Sequence, residues 1–533
     1  MSSKAKEFLT QLNKNSEYNG FWQDFHKYCK EFEVPNKEYF VESLPILFEK
    51  IKNDGASYSI YEALRNYASE KPKEAIEVLE LIRQKGTLET LNFIASIFGG
   101  LSKSETTYPF KDEILFLIKS LDENEVKAGL NAAYQVVIKD KQEDTKFLND
   151  VNKNLVRIIE KGFNQDLGII TRFYNKHINS IDDAKKIIIQ LLKKKNIEVQ
   201  SEVARSLNAE FKFEEDPEYF KKCLNLLTYT EFEYKGIYRT IKYRLKDTIT
   251  KNPDIIIEFI NEWILNNKGK IKRISVLKEI INELYSNHPK MIEILFLEWL
   301  NSDNQSYKNA LHFVISNFED NISPIGLPKE LLQNLDEEDS LYIVFMIVGN
   351  ILDREYASEM LYNILEVNYK NERIRNHIAT LFVKYLIINY YSVTEILKEK
   401  RKTANKIITS IIDQIIDASE NYYKQVSELE IINEFEPSDK RMNYFLKQQN
   451  IQMQKIMDDS ESKNNSFLNM VTNINLKAGK SFFSKHRGEY SQEAEMQNFK
   501  SSFEMPRVQS IDEIGQEKTR LMWQNMKRNE LPN

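Results

Sequence analysis

The feature that most constrains this chain is a unit written twice between Asn252 and Phe318. Asn252-Pro253 opens DIIIEFINEWIL, and His288-Pro289 opens KMIEILFLEWLN 36 residues later. Each copy places apolar residues three, seven and ten positions after its proline: Ile256, Ile260 and Trp263, then Ile292, Phe296 and Trp299. That spacing is one face of a helix. Proline suits a first helical position, where its missing N–H has no intrahelical partner to lose, and Asn252 is expected to cap the turn with its side chain. A second apolar helix follows in each copy, carrying Val276, Leu277, Ile280, Ile281 and Leu284 in one and Leu311, Val314, Ile315 and Phe318 in the other. Two helices per period of this length predict a stack in which each pair covers its neighbour. The two tryptophans are expected at equivalent buried positions.

Weaker copies of the unit begin at Lys71-Pro72 and Asp216-Pro217. With 15 glycines and 12 prolines in 533 residues, against roughly 12% in average usage, few turns need special backbone geometry. Long helices with short connectors follow. No segment sustains period-two alternation, so an all-α chain without a sheet of three or more strands is predicted. Gly99-Gly100 reads as a left-handed helix end, and Ser323 to Pro328 is the strongest turn signal. Glu372 to Tyr423 reads as two long helices broken near 398–405. The resulting division is a helical cap at 1–53, a stack of helix pairs at 54–322, divergent helical repeats at 323–429, an amphipathic segment at 430–472 and a mostly irregular tail at 473–533, with a last helix from Ile511 to Arg528.

Charge and composition exclude little. The formal net charge is -6, which by itself points to neither nucleic acid nor membrane. Cys29 and Cys223 sit in helical patterns and read as buried thiols, which fits a reducing cytoplasm. No secretory signal is visible at the start of the chain. The most apolar run, Ile378 to Val393, is shorter than the roughly 20 residues a spanning helix needs and reads as a buried helix. Motifs for zinc, nucleotide, redox or hydrolytic chemistry are absent, and His26 with Cys29 reads as packing, so no catalytic residue, metal or cofactor is assigned.

Local charge is the clearest anomaly. Between Lys235 and Lys278 eleven basic residues face four acidic ones. Lys235, Arg239, Lys242, Arg244 and Lys246 recur along one helix beside Tyr238 and Tyr243, and Lys268, Lys270, Lys272 and Arg273 fill the next connection. Stacked helices would align these cations into a strip for a polyanion or an acidic partner. A second basic run at 398–406 reads instead as the capped end of a helix. The tail offers a different kind of candidate. Phe482, Phe483, Lys485, His486, Arg487, Tyr490, Phe503, Arg507 and Trp523 combine aromatics with charge in a stretch too sparse to build its own core, which suits docking to a partner.

The period, the helix pair and the proline-led first helix resemble the HEAT and armadillo superfamily of α-solenoids over 37–318, extending toward Tyr423. That resemblance implies a cytoplasmic, non-enzymatic scaffold or adaptor that binds another protein along its helical surface. An alternative is a nucleic-acid-binding subunit of a bacterial protein complex, working through the strip at 235–278. A HEAT-like DNA-repair glycosylase is a third reading.

Overall fold

Four helices begin on the prolines that the repeat pattern singles out: Pro72–Lys85, Pro217–Leu227, Pro253–Asn266 and Pro289–Asn301. In each, the residues three, seven and ten places on are buried, from Ala75, Leu79 and Ile82 to Ile292, Phe296 and Trp299. Trp263 and Trp299 are each 1% exposed. The residue before the proline repeats its geometry as well. Asn252 lies at φ -139°, ψ 63° and His288 at φ -140°, ψ 64°. Their N–H groups close the preceding helices on Thr248 and Leu284 at 2.8 Å. Asn252 makes no side-chain cap, contrary to expectation. It already closes the preceding helix, Lys235–Lys251, as its C-cap.

The structure is a computed structural model and describes residues 3–14, 20–51, 58–85, 90–104, 106–138, 141–160, 167–316, 323–428 and 512–532, with scattered positions between them. It divides into two compact units, Met1–His288 and Pro289–Asn533. No sheet of three or more strands occurs among the described residues. β-pairing there comprises two-residue antiparallel ladders, Ser481–Phe482 with Ala494–Glu495 and Lys485–His486 with Glu489–Tyr490, and an isolated parallel bridge between Leu207 and Phe211. No helix among the described residues is long and apolar enough to cross a membrane.

The first unit is built from two layers. Odd-numbered helices are α1 (Ser3–Asn13), α3 (Lys37–Ile51), α5 (Pro72–Lys85), α7 (Phe110–Ile118), α9 (Lys141–Glu160), α11 (Ala184–Leu192), α13 (Pro217–Leu227) and α15 (Pro253–Asn266). Even-numbered ones are α2 (Phe21–Lys30), α4 (Tyr58–Glu70), α6 (Leu91–Leu101), α8 (Glu123–Gln135), α10 (Leu167–Lys176), α12 (Ile197–Ser206), α14 (Lys235–Lys251) and α16 (Lys278–Asn287). Every even helix packs on the next even helix, and α11, α13 and α15 pack in the same way. This is an all-α arrangement that fits a helical-repeat solenoid in general.

Polar caps start many of the turns: Asp122, Asn196 and Asp216 each accept main-chain N–H bonds from the helix they precede. Gly99 and Gly100 lie inside α6 and do not end it. A Cβ on Gly100 would overlap the Arg65 carbonyl and Ala68 of α4, so close helix approach, and not a left-handed turn, calls for glycine here.

The second unit contains α17 (Pro289–Asn301), α18 (Gln305–Ile315), α19 (Lys329–Leu332), α20 (Glu337–Asn350), α21 (Arg354–Asn368), α22 (Glu372–Leu381), α23 (Val393–Arg401), α24 (Lys406–Ser427) and α25 (Glu513–Gln524). The turn at 323–328 lies inside it, with the Leu327 N–H donating to Asn363 Oδ1 at 2.8 Å. From Ser340 to Asn350, α20 is buried on every side, as befits a helix that is apolar all round. The first of the two long helices expected over 372–423 is in fact broken. α22 runs into a π-helical stretch, Phe382–Ile387, and the chain turns at Tyr390 to Ser392 before α23. The apolar run 378–393 thus spans a bend, because π-type widening and the turn reorient its two ends. The amphipathic segment at 430–472 falls outside the described residues, apart from single helical positions.

Candidate functional site

The even layer of the first unit carries a basin of about 770 Å³. Its lining follows from the helical period. α8 buries Val126, Ala128, Leu130, Ala132 and Ala133 and turns Lys127, Asn131 and Tyr134 to the basin; α10 adds Arg172, Asn175 and Lys176, and α12 adds Glu202 and Arg205. Arg65 of α4 and Arg244 of α14 complete the wall. Six cations therefore face one depression against two carboxylates, Glu202 and Glu210. A second depression of about 680 Å³ shares Lys127, Asn131, Arg172, Glu202 and Arg205 and reaches Tyr234, Gly236, Ile237 and Thr240 at the start of α14.

Internal bonds hold this constellation. Arg172 grips Glu202 through Nε (3.0 Å) and Nη2 (2.5 Å), and Arg205 Nη1 adds a third contact at 3.0 Å. The Glu202 bonds raise the Arg172 pKa and orient its guanidinium. Lys176 donates to the carbonyls of Tyr134 and Val136 at the end of α8, the latter at 3.0 Å. Burial pulls its pKa down to about 8. Asn175 is 1% exposed. Its Nδ2 donates to the Glu202 carbonyl at 3.3 Å, whereas its Oδ1, like the Oε1 of Gln135, is buried without a protein donor. The basin thus offers positive charge braced by internal bonds.

The strip read from sequence is distributed differently. On α14, Arg239 and Lys246 are exposed, Lys242 pairs with Glu283 at 3.6 Å, and Arg244 turns to the basin. Lys235 sits exposed at the helix start. Lys268 to Leu277 forms a 3₁₀-type connection in which Lys270 and Arg273 lie over the Phe232 ring at 5.1 and 4.7 Å, while Lys268 and Lys272 are exposed. Of the nine cations, only Arg244 lines the basin. The run at 398–406 does close a helix end: Lys398, Lys400 and Arg401 occupy the last turn of α23, paired with Glu395, Glu359 and Asp413.

Of the tail residues, Phe483, Arg487, Phe503 and Arg507 lie outside the described residues. Phe482, Lys485, His486 and Tyr490 are described only as parts of the two-residue ladders. Trp523 is placed fully. It is 9% exposed in α25, edge-on to Tyr385 at 4.8 Å and 6.4 Å from Phe345. Its docking surface belongs to its own chain.

Elsewhere, His26 is exposed and Cys29 half-buried, with burial pushing the thiol up to about 12. Cys223 is fully buried, and both cysteines are free. Among the described residues no group of three or more His, Cys, Asp or Glu could hold a metal ion.

Comparison with known proteins finds no matching family model, no matching curated protein and no matching solved structure. The basin residues other than Arg244 escape the sequence reading because they are scattered from Arg65 to Glu210, with no local cluster to betray them. The signal that does exist is phase: Lys127 with Asn131, Arg172 with Lys176, and Glu198 with Glu202 and Arg205 recur at helical spacing on successive even helices.

Proposed function

We propose that this chain is an interaction scaffold whose first unit grips an acidic segment of a partner protein. The observation that carries this reading is the convergence of six cations from five even helices on one open basin. The carboxylates of an acidic peptide supply the complementary charge. The resemblance of the helix pairs to HEAT and armadillo solenoids supports a scaffold role, and the two free thiols support a reducing, intracellular setting.

Titration of a fluorescent peptide rich in aspartate and glutamate tests the reading by anisotropy. Lys127→Glu, Arg205→Glu and Arg244→Glu together should weaken binding by on the order of 100-fold, since three charge contacts are reversed. Unchanged affinity in the triple variant would remove the basin from the mechanism. A second reading, nucleic-acid binding through 235–278, is favoured by the exposure of Arg239, Lys246, Lys268 and Lys272 beside Tyr243, itself 72% exposed. Duplex and single-stranded DNA at about 50 mM salt form its test, and affinity should fall with salt as phosphate contacts release counterions. Arg239→Glu, Lys242→Glu, Lys270→Glu and Arg273→Glu in combination should abolish that binding and leave the peptide affinity intact. No measurable DNA binding by the unaltered protein ends this second reading.

A further inference from the structure

The last described segment, 512–532, sits on the second unit in the manner of a bound ligand. Among its described residues only Trp523 is buried, whereas α20 beneath it is buried from Ser340 to Asn350. One deep anchor with a remainder that is half-buried or exposed is how a peptide docks. The receptor is shaped for that anchor. Gly349 lets the main chain close in, since a Cβ there would lie 2.8 Å from Gln524 N, and Phe345 and Tyr385 flank the indole.

A polar slot receives the second anchor. The Arg528 guanidinium lies over the Tyr342 ring at 4.3 Å, pairs with Asp339, and donates to the Asn301 carbonyl and Oδ1 at 2.6 and 2.8 Å. Asp303 stands 3.6 Å away. Beyond it, Arg373 holds the Pro532 carbonyl at 2.8 Å and is itself braced by Glu337 and Glu338. Aromatic and arginine anchors are the groups that dominate binding energy at protein interfaces.

We propose that the surface formed by α17, α20 and α22 is a receptor groove for a segment presenting a tryptophan at the end of a helix and, five residues on and past that helix end, an arginine, and that the chain's own C-terminal segment occupies it as an exchangeable ligand. A partner segment with the same two anchors then has to displace the tail. Covalent attachment raises the tail's local concentration, so it acts as a built-in competitor that screens out weak partners. The groove lies in the second unit and is independent of the acidic-segment reading of the first.

The test uses the full chain with a specific protease site inserted between Asn464 and Asn465. After cleavage, the C-terminal fragment should stay bound, and a labelled peptide of residues 511–533 should replace it, seen as a rise in anisotropy. Peptides carrying Trp523→Ala or Arg528→Ala should bind on the order of 30-fold more weakly or worse. Lys127→Glu in the first unit should leave this exchange unchanged. Failure of the cleaved, still helical protein to take up the peptide would overturn the proposal, as would loss of helicity on cleavage, because either result makes the segment an integral part of the fold. Hydrogen exchange on the uncut chain gives an independent reading. α25 should exchange well before α20 if the segment detaches locally, and equal protection overturns the proposal.

Discussion

The two units present their candidate surfaces in opposite states. In the first, six cations surround an open basin; in the second, the surface around α20 is covered by the chain's own Trp523 and Arg528. The difference follows from what each surface is made of. Charged side chains on separate even helices are satisfied by Glu202, by main-chain carbonyls and by water, so the basin costs little to leave open. The faces of Tyr342, Phe345 and Tyr385, by contrast, are apolar surface that water disfavours, and covering them is the more favourable state. An all-α chain can therefore carry an open polar surface and a covered aromatic one.

The largest expected effect tests whether the two units are equally well packed. Trp263→Ala and Trp299→Ala should each cost about 3–5 kcal/mol, the usual range for a large buried aromatic, read by urea unfolding. Trp263 also loses the bond from its indole N–H to the Tyr238 hydroxyl at 3.1 Å, and Trp299 its stack on Tyr307. A near-neutral result at either position would show that its unit is loosely packed there and that the repeat register fails.

A smaller effect sharpens the contrast at the covered surface. Gly349→Val should push α25 off α20, because the new side chain meets Gln524 and Trp523, and the tail should become roughly tenfold more sensitive to limited proteolysis. If the cleavage pattern of α25 is unchanged, the close approach at Gly349 is not what seats the segment.

The smallest effect belongs to the open basin and is a pH dependence. Burial holds Lys176 at a pKa of about 8 in the free protein, with Glu210 opposing and Arg65 reinforcing the shift. A bound carboxylate favours the charged form and raises that pKa. Affinity for an acidic peptide should therefore be level below pH 8 and fall as pH rises above it, by up to about tenfold for each unit by which binding raises the pKa. Calorimetry at pH 9 in buffers of different ionisation enthalpy should show proton uptake on binding. Affinity that is flat from pH 7 to 9 would place Lys176 outside the contact.

Much of the fold is legible in the residues. Proline at a helix start, apolar residues three, seven and ten positions on, and Trp263 and Trp299 in the core are local facts of the helix, which needs no distant information to take shape. The basic last turn of α23 is legible for the same reason. Gly100 is not, because only the approach of α4 shows why a side chain is excluded there. Nor is the bend at 390–392, where an unbroken apolar pattern conceals a change of direction.

The sequence by itself determined the helix pairs, their proline-led starts and the buried tryptophans, since each depends on spacing within a single helix. The tertiary structure alone decided which charges meet. Arg65, Lys127, Arg172, Lys176, Arg205 and Arg244 share a basin because stacked helices present the same face to one side, whereas most of the cations gathered in sequence between 235 and 273 point elsewhere. It also decided that Trp523 is buried against the chain's own second unit. The physical reason is common to both: an electric field and an apolar contact depend on distance in space, and the repeat brings residues far apart in the chain to within a few ångströms while turning sequence neighbours to opposite faces.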